Sequence, residues 1–250
     1  MSGRKIEGSV ALVTGSNRGI GRAIVEVLIE RGATKVYAGA RNVDSVADLV
    51  AAHPGKVVAV ELDVTNADHI ANAAALATDV SLLVNNAGVA SSMGVMITDP
   101  ATNPLARTEF EVNVCGVMTV TQAFAPALNA NGGGAIVNLG SVASLVSFAM
   151  AQTYSASKAA VHSVTQSLRI ALGNTLVVGV YPGPVDTDMA AGIPMDKATP
   201  ASVAHEILDG VEGGVEEVFP DPMSKEMGAF YLQNPKGLEQ QAAQMAQESA

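Results

Sequence analysis

Tyr154 and Lys158 lie four residues apart in "TYSASKAA", separated only by the small residues Ser155, Ala156 and Ser157. On a helix that spacing puts both side chains on one face, within reach of each other. An ammonium beside a phenol stabilises the phenolate and makes the proton easier to remove. An unperturbed tyrosine titrates near about 10, too high for ready proton exchange at neutral pH. The pair therefore reads as a tuned acid and base, or as a polar stretch of helix surface. A second candidate lies near the start of the chain. In "TGSNRGIG", Gly15, Gly19 and Gly21 stand between a Val/Leu-rich run and a helix-like stretch. Glycines there permit a tight turn and let backbone amides at a helix N-terminus approach a pyrophosphate.

Both candidates need a frame. Short β-rich runs recur along the chain: "SVALVTG", "KVYAGA", "KVVAVELDV", "VSLLVNNAG", "GAIVNLGS", "TLVVGVYPG" and "VEEVFP". They hardly alternate between polar and apolar, as expected of strands buried on both faces. Helix-like stretches such as "GIGRAIVEVLIERG" and "DSVADLVAAH" separate them. This rhythm predicts one α/β domain over 1–250, a parallel sheet with helices on both faces. The glycines of "NGGGA" (131–135) read as a turn entering a strand. After Pro220 the rhythm fails, and the rest reads as a turn, a short helix and a polar tail.

Composition narrows the function. The chain has 250 residues, 48% apolar and only 15% charged, which suits a sizeable core rather than disorder. A net charge of −10 argues against a nucleic-acid or anionic-membrane surface. A bound polyanion would need a local device such as backbone amides or a few placed arginines. The one cysteine, Cys115, excludes an intrachain disulfide and a thiol-based metal cluster, and a cytoplasmic location is expected. Arg4 and Lys5 before "SVALV" imitate a signal peptide, but the apolar run is short and ends in a glycine turn.

The ordered motifs resemble those of the short-chain dehydrogenase/reductase family. "TGSNRGIG" is similar to its cofactor turn, "NNAG" (85–88) to its fourth-strand motif and "YSASK" to its Tyr-x-x-x-Lys. Ser141 stands thirteen residues before Tyr154, Asn113 lies in "FEVNVCG", and "PGPVDTDM" begins at Pro182. The likeness runs from about residue 8 to 220. It implies a doubly wound sheet of Rossmann type and an NADP(H)-dependent reductase of ketones or aldehydes. Tyr154 would give its proton to the carbonyl oxygen, which Ser141 would hold. Lys158 would lower the tyrosine's pKa and bind the nicotinamide ribose, and Asn113 would support a water-linked proton path. Cofactor contacts would fall on Gly15, Asn17, Arg18, Gly19, Ile20 and Gly21. Asp63 and Val64 would meet the adenine, and Asn86, Ala87 and Gly88 the ribose. Pro182, Val185 and Thr187 would lie at the nicotinamide end, with Thr187 on the carboxamide. Where an acid about 20 residues past the turn would select NAD, the sequence has Ala40 followed by Arg41. Arg18 and Arg41 would bracket a 2′-phosphate, although Arg41 could instead pair with Asp44, and Asp44 itself could reach the ribose.

Other residues have plainer readings. Asp63 also suits a loop position, with Thr65 and Asp68 opening the next helix as a capping box. Cys115 reads as a small buried apolar residue and His162 as a packing residue of its helix. The remaining histidines make no metal pattern. Met93, Met96, Met150, Met189 and Met195 fall in segments expected at the cleft mouth, and Glu216 and Glu217 on a solvated strand edge. The long helices, about 105–130 and 152–173, are expected to pair copies of the chain as a dimer or tetramer. Two further readings stand beside the reductase. One is a noncatalytic dinucleotide sensor. The other is a cofactor-free lyase of the halohydrin dehalogenase type, against which the glycine turn and Lys158 both speak.

Overall fold

All seven apolar runs form strands in the structure, a computed structural model that describes residues 2–248. These are β1 (Val10–Thr14), β2 (Lys35–Ala40), β3 (Val57–Glu61), β4 (Leu82–Asn85), β5 (Ala135–Leu139), β6 (Leu176–Val180) and β7 (Glu217–Val218). They pair in parallel in the order β3-β2-β1-β4-β5-β6-β7. The order reverses between β1 and β4, and ligands of such sheets bind outside the strand carboxyl ends at that reversal.

Successive side chains along a strand face opposite ways, so each strand feeds two cores. Val13, Val84, Val137 and Val178 pack beneath α1 (Gly19–Glu30) and α7 (Pro200–Gly213). Leu12, Leu83, Ile136 and Val177 pack on the other face with residues of α3 (Ala67–Leu76) and α5 (Gly116–Ala130). The sheet is buried on both sides, which is why its strands read as continuous apolar runs. Between β2 and β3 lies the short α2 (Ala47–Ala52). On the α5 side a buried polar row crosses the sheet. Asn85 Nδ2 donates to Thr121 Oγ1 at 3.0 Å and to Asn138 Oδ1 at 2.8 Å, and Asn138 Nδ2 donates to Thr165 Oγ1 at 3.0 Å.

The expected long helix is broken in hydrogen-bond pattern but not in direction. α4 (Thr102–Phe110) runs through a π turn, Glu111–Cys115, into α5. Single π turns inside α-helices recur at functional sites, and this one carries Asn113. α6 (Gln152–Ala171) carries Tyr154 and Lys158. The "NGGGA" turn needs its glycines for space: a Cβ on Gly134 would lie 2.0 Å from the Ser81 carbonyl oxygen.

Three local expectations are corrected. The cap of α3 is Asn66, whose side chain accepts from the Asp68 and His69 amides, while Thr65 binds back to Asp63. Cys115 is exposed, because the π turn rotates it away from the core that buries Asn113 and Val114. The expected polar tail is helical. Asp221 and Ser224 form a capping box that starts α8 (Pro222–Gln233), and α9 (Pro235–Glu248) follows it, with Leu238 buried. Residues 249 and 250 of that segment lie outside the described residues. His162 packs as expected, its Nδ1 2.7 Å from the Tyr181 hydroxyl. Glu216 and Glu217, at the sheet edge, pair with Arg169.

Candidate active site

A cleft of about 1740 Å³ opens over the carboxyl ends of β1, β4, β5 and β6. One end is built from the glycine turn. α1 begins at Gly19 with Arg18 as its N-cap, no side chain capping it and no acid in its first turn. Its free amides therefore have no internal acceptor, and an anion is the natural partner. The turn is packed too closely for larger residues. A Cβ on Gly21 would sit 2.3 Å from both Asn86 Nδ2 and the Gly15 carbonyl oxygen, and one on Gly19 3.0 Å from Thr187 Cγ2. Gly15 and Gly19 also have positive φ, of 66° and 55°.

β4 clamps this turn. Thr14 Oγ1 accepts from the Asn86 amide at 3.0 Å and the Ala87 amide at 2.9 Å. Asn86 Nδ2 donates to the Thr14 and Gly15 carbonyl oxygens at 2.8 and 3.0 Å. The two asparagines of "NNAG" thus divide the work, Asn85 facing the buried row and Asn86 the turn. Thr14 went unnoticed in the sequence, where it reads as one more β-branched strand residue.

The expected cofactor residues fall along the cleft wall. Gly15, Asn17, Arg18, Gly19 and Ile20 line it from the turn, Arg41, Asp63 and Val64 from the ends of β2 and β3. Asn86, Ala87 and Gly88 line it from β4, and Pro182, Val185 and Thr187 from the loop after β6. Gly21 and Asn113 are buried behind that wall. Ala40 and Arg41 stand together at the end of β2, and both line the cleft. Arg41 makes no ion pair with Asp44; its charge acts instead on Asp63. The Asp63 carboxyl is held below its ordinary pKa, first by the Thr65 amide and also by Arg41.

At the other end the polar side chains converge. Ser141 follows β5, its Oγ accepting from the Ala143 amide at 3.1 Å. Tyr154 projects from the first turn of α6, near enough to the Ser141 side chain for the two to interact. One turn on, Lys158 Nζ lies 5.7 Å from the centre of the Tyr154 ring and donates to the Leu139 carbonyl oxygen at 2.7 Å. Asn113 Nδ2 donates to the Val89 carbonyl oxygen at 2.9 Å and to Ser157 Oγ at 3.0 Å, and its Oδ1 accepts from the Val89 amide at 2.8 Å. Gly88 keeps a gap open between two of these groups. A Cβ there would lie 3.2 Å from Asn113 Oδ1 and 3.5 Å from Lys158 Nζ.

Residues 9–198 match the family description "short chain dehydrogenase". The chain belongs to the short-chain dehydrogenase family. A short-chain dehydrogenase from Burkholderia cenocepacia, solved in complex with NADP, is 39% identical, with a TM-score of 0.86 over 94% of this chain and 97% of that one. Another from Burkholderia phymatum, in complex with NAD, is 25% identical, with a TM-score of 0.80 over 94% and 97% of the two chains. An uncharacterized oxidoreductase of Staphylococcus epidermidis is 36% identical over 196 residues, 75% of this chain and 83% of that protein.

For a short-chain dehydrogenase the electrostatics of the tyrosine are unexpected. The sequence predicts that Lys158 lowers its pKa. The Tyr154 phenol is instead pushed up to about 12, chiefly by loss of water around it, with Ser141 opposing and the Glu109 carboxylate adding to the rise. Lys158 is turned toward Leu139, and burial lowers its own pKa to about 8. The ammonium is nonetheless the protonated form at neutral pH.

The cleft mouth is rich in methionine. Met93, Met96, Met150, Met189 and Met195 all line it, as expected, and Met223 of α8 and Met245 of α9 join them. α9 escaped notice because its sequence is polar, with only Leu238 buried; Ala242, Met245 and Ala246 nonetheless reach the cleft.

Proposed function

We propose that this protein is an NADPH-dependent reductase of ketone or aldehyde carbonyls, working reversibly toward alcohols. The convergence of Ser141, Tyr154 and Lys158 at one end of a cleft whose other end is a phosphate-type glycine turn carries this reading. The nicotinamide would supply the hydride. Charge then grows on the carbonyl oxygen, which needs positioned donors and finally a proton.

The chain's own groups suit those tasks. Ser141, fixed by the Ala143 amide, orients the oxygen beside the phenol. Tyr154, beside Ser141, is placed to give its proton to a strongly basic acceptor such as a forming alkoxide. Lys158, held by Leu139, binds the ribose and steadies the charge left on the tyrosine oxygen. Asn113 and the gap beside Gly88 offer a route for the replacement proton.

Arg18 and Arg41 with Ala40 favour the 2′-phosphate of NADPH over the hydroxyl of NADH. Among the described residues the cations lining the cleft are Arg18, Arg22, Arg41 and Lys158, while seven methionines line it. A neutral, apolar carbonyl compound fits that mouth better than a carboxylate or a phosphorylated thioester, and methionines adapt to varied shapes. Pairing of two or more copies through α4–α5 and α6, in a cytoplasmic setting, completes the proposal. Its test is a panel of carbonyl compounds followed by nicotinamide absorbance with NADH and NADPH in parallel. Turnover of neutral apolar ketones or aldehydes with NADPH is the expected result. Tight NADPH binding without turnover of any carbonyl would overturn it in favour of a dinucleotide sensor.

A further inference from the structure

Glu109, in the last turn of α4, is fully buried and has no cation beside it among the described residues. Its carboxylate is satisfied by neutral donors from two other segments. Ser92, in the loop after β4, donates to Oε1 from its amide at 2.9 Å and its hydroxyl at 2.8 Å. Thr153, the second residue of α6, donates to Oε2 at 2.7 Å, and its Oγ1 lies 2.6 Å from Ser92 Oγ. Ser92 and Thr153 are themselves buried.

A buried carboxylate without a cation is a costly way to join a loop to a helix, since an apolar residue could fill the same space. Its neighbours suggest what it does. Thr153 immediately precedes Tyr154, Ser92 immediately precedes the cleft-lining Met93, and Glu109 stands one turn before Asn113. One side chain therefore ties the catalytic helix, the methionine-bearing loop and the π turn together.

We propose that Glu109 is a positioning residue for Tyr154: it fixes the start of α6 against the β4 loop and sets a buried carboxylate against Thr153, the residue before the tyrosine. The groups acting on the phenol are the Ser141 hydroxyl from the end of β5, Lys158 from α6 itself and Glu109 from α4. The carboxylate disfavours the tyrosinate form of its neighbour. This rests on the reading of the cleft as a carbonyl-reducing site.

Two variants separate position from charge. Glu109→Gln keeps the shape and loses the charge, and Thr153→Val keeps the charge and loses one hydrogen bond. Tyr154 ionisation is followed in the ligand-free protein by tyrosinate absorbance, each protein being compared with its own Tyr154→Phe derivative. The pH profile of carbonyl reduction is measured beside it. In Glu109→Gln tyrosinate should appear at lower pH, while the alkaline fall of reduction, set by Lys158, should stay where it is. In Thr153→Val the profile should stay in place while kcat falls roughly tenfold or more, the value of one charge-assisted hydrogen bond. A wild-type tyrosine titration in Glu109→Gln, or a wild-type kcat in Thr153→Val, would overturn the proposal. If the wild-type protein reduces no carbonyl, the functional reading fails, whereas the tyrosine titration still decides the role of Glu109.

Discussion

Arg18 NH1 and Asp188 Oδ2 meet at 2.7 Å across the cleft, joining the glycine turn to the loop after β6. Both side chains are largely exposed, so the pair is worth at most about 1 kcal/mol. A 2′-phosphate would compete with Asp188 for the same guanidinium. Asp188→Ala should therefore tighten NADPH binding, by up to about fivefold, and leave NADH binding unchanged. Fluorescence titration with the two cofactors measures this, and an equal change for both would place the phosphate elsewhere.

Arg41 follows Ala40 at the end of β2 and is free of Asp44. Charged hydrogen bonds of about 1.5–3 kcal/mol correspond to roughly 10- to 150-fold in affinity. Arg41→Ala should raise the KM for NADPH on that scale and hardly alter the KM for NADH. Steady-state kinetics with both cofactors checks it; equal effects would mean that Arg41 does not meet the phosphate.

Lys158 links activity to pH. Its folded pKa, about 8, lies below its ordinary value, so the ammonium predominates below about 8 and is lost above it. Reduction should decline as pH rises through about 8. Stability moves the other way over the next units: the unfolded chain still holds a proton that the folded one has released, so stability rises with pH. The cost of burying the ammonium at neutral pH is on the order of 3 kcal/mol. Wild type should thus gain thermal stability relative to Lys158→Met between neutral pH and about 10. A difference in Tm that stays constant over that range would contradict the assigned shift. Lys158→Met should also weaken both turnover and NADPH binding.

The outer face of α4–α5 exposes Phe110, Cys115 and Met118 together. An apolar cluster on paired long helices is what an interface between copies would cover. Light scattering at micromolar concentration should give a dimer or tetramer, and Cys115 should react slowly with a thiol reagent. A monomeric mass with rapid labelling would refute the pairing.

The frame of this protein was open to a sequence reading because its signals are local. Val- and Leu-rich strands buried on both faces, a glycine turn that no larger side chain fits, and Tyr154 and Lys158 on one helical turn all declare themselves within a few residues. The hidden parts depend on contacts between distant segments. Glu109 reads as a surface charge until α4, the β4 loop and α6 enclose it. Thr14 matters only because Asn86 and Ala87 come to rest upon it. α9 looks like a tail since one buried leucine gives almost no periodic signal, and Cys115 is turned outward by a π turn that leaves no mark on apolar spacing. The rise in the tyrosine's pKa was likewise invisible, because it comes from lost water and a carboxylate 45 positions away in the chain.

The central claim is that Tyr154 supplies the proton to a carbonyl oxygen. Tyr154→Phe keeps the ring and removes the hydroxyl that carries that proton. The decisive measurement is NADPH oxidation with the best carbonyl substrate by wild type and Tyr154→Phe, with NADPH binding to both followed by fluorescence. Loss of at least about 100-fold in kcat with nearly unchanged NADPH affinity is the predicted result. A variant that turns over at the wild-type rate would contradict it.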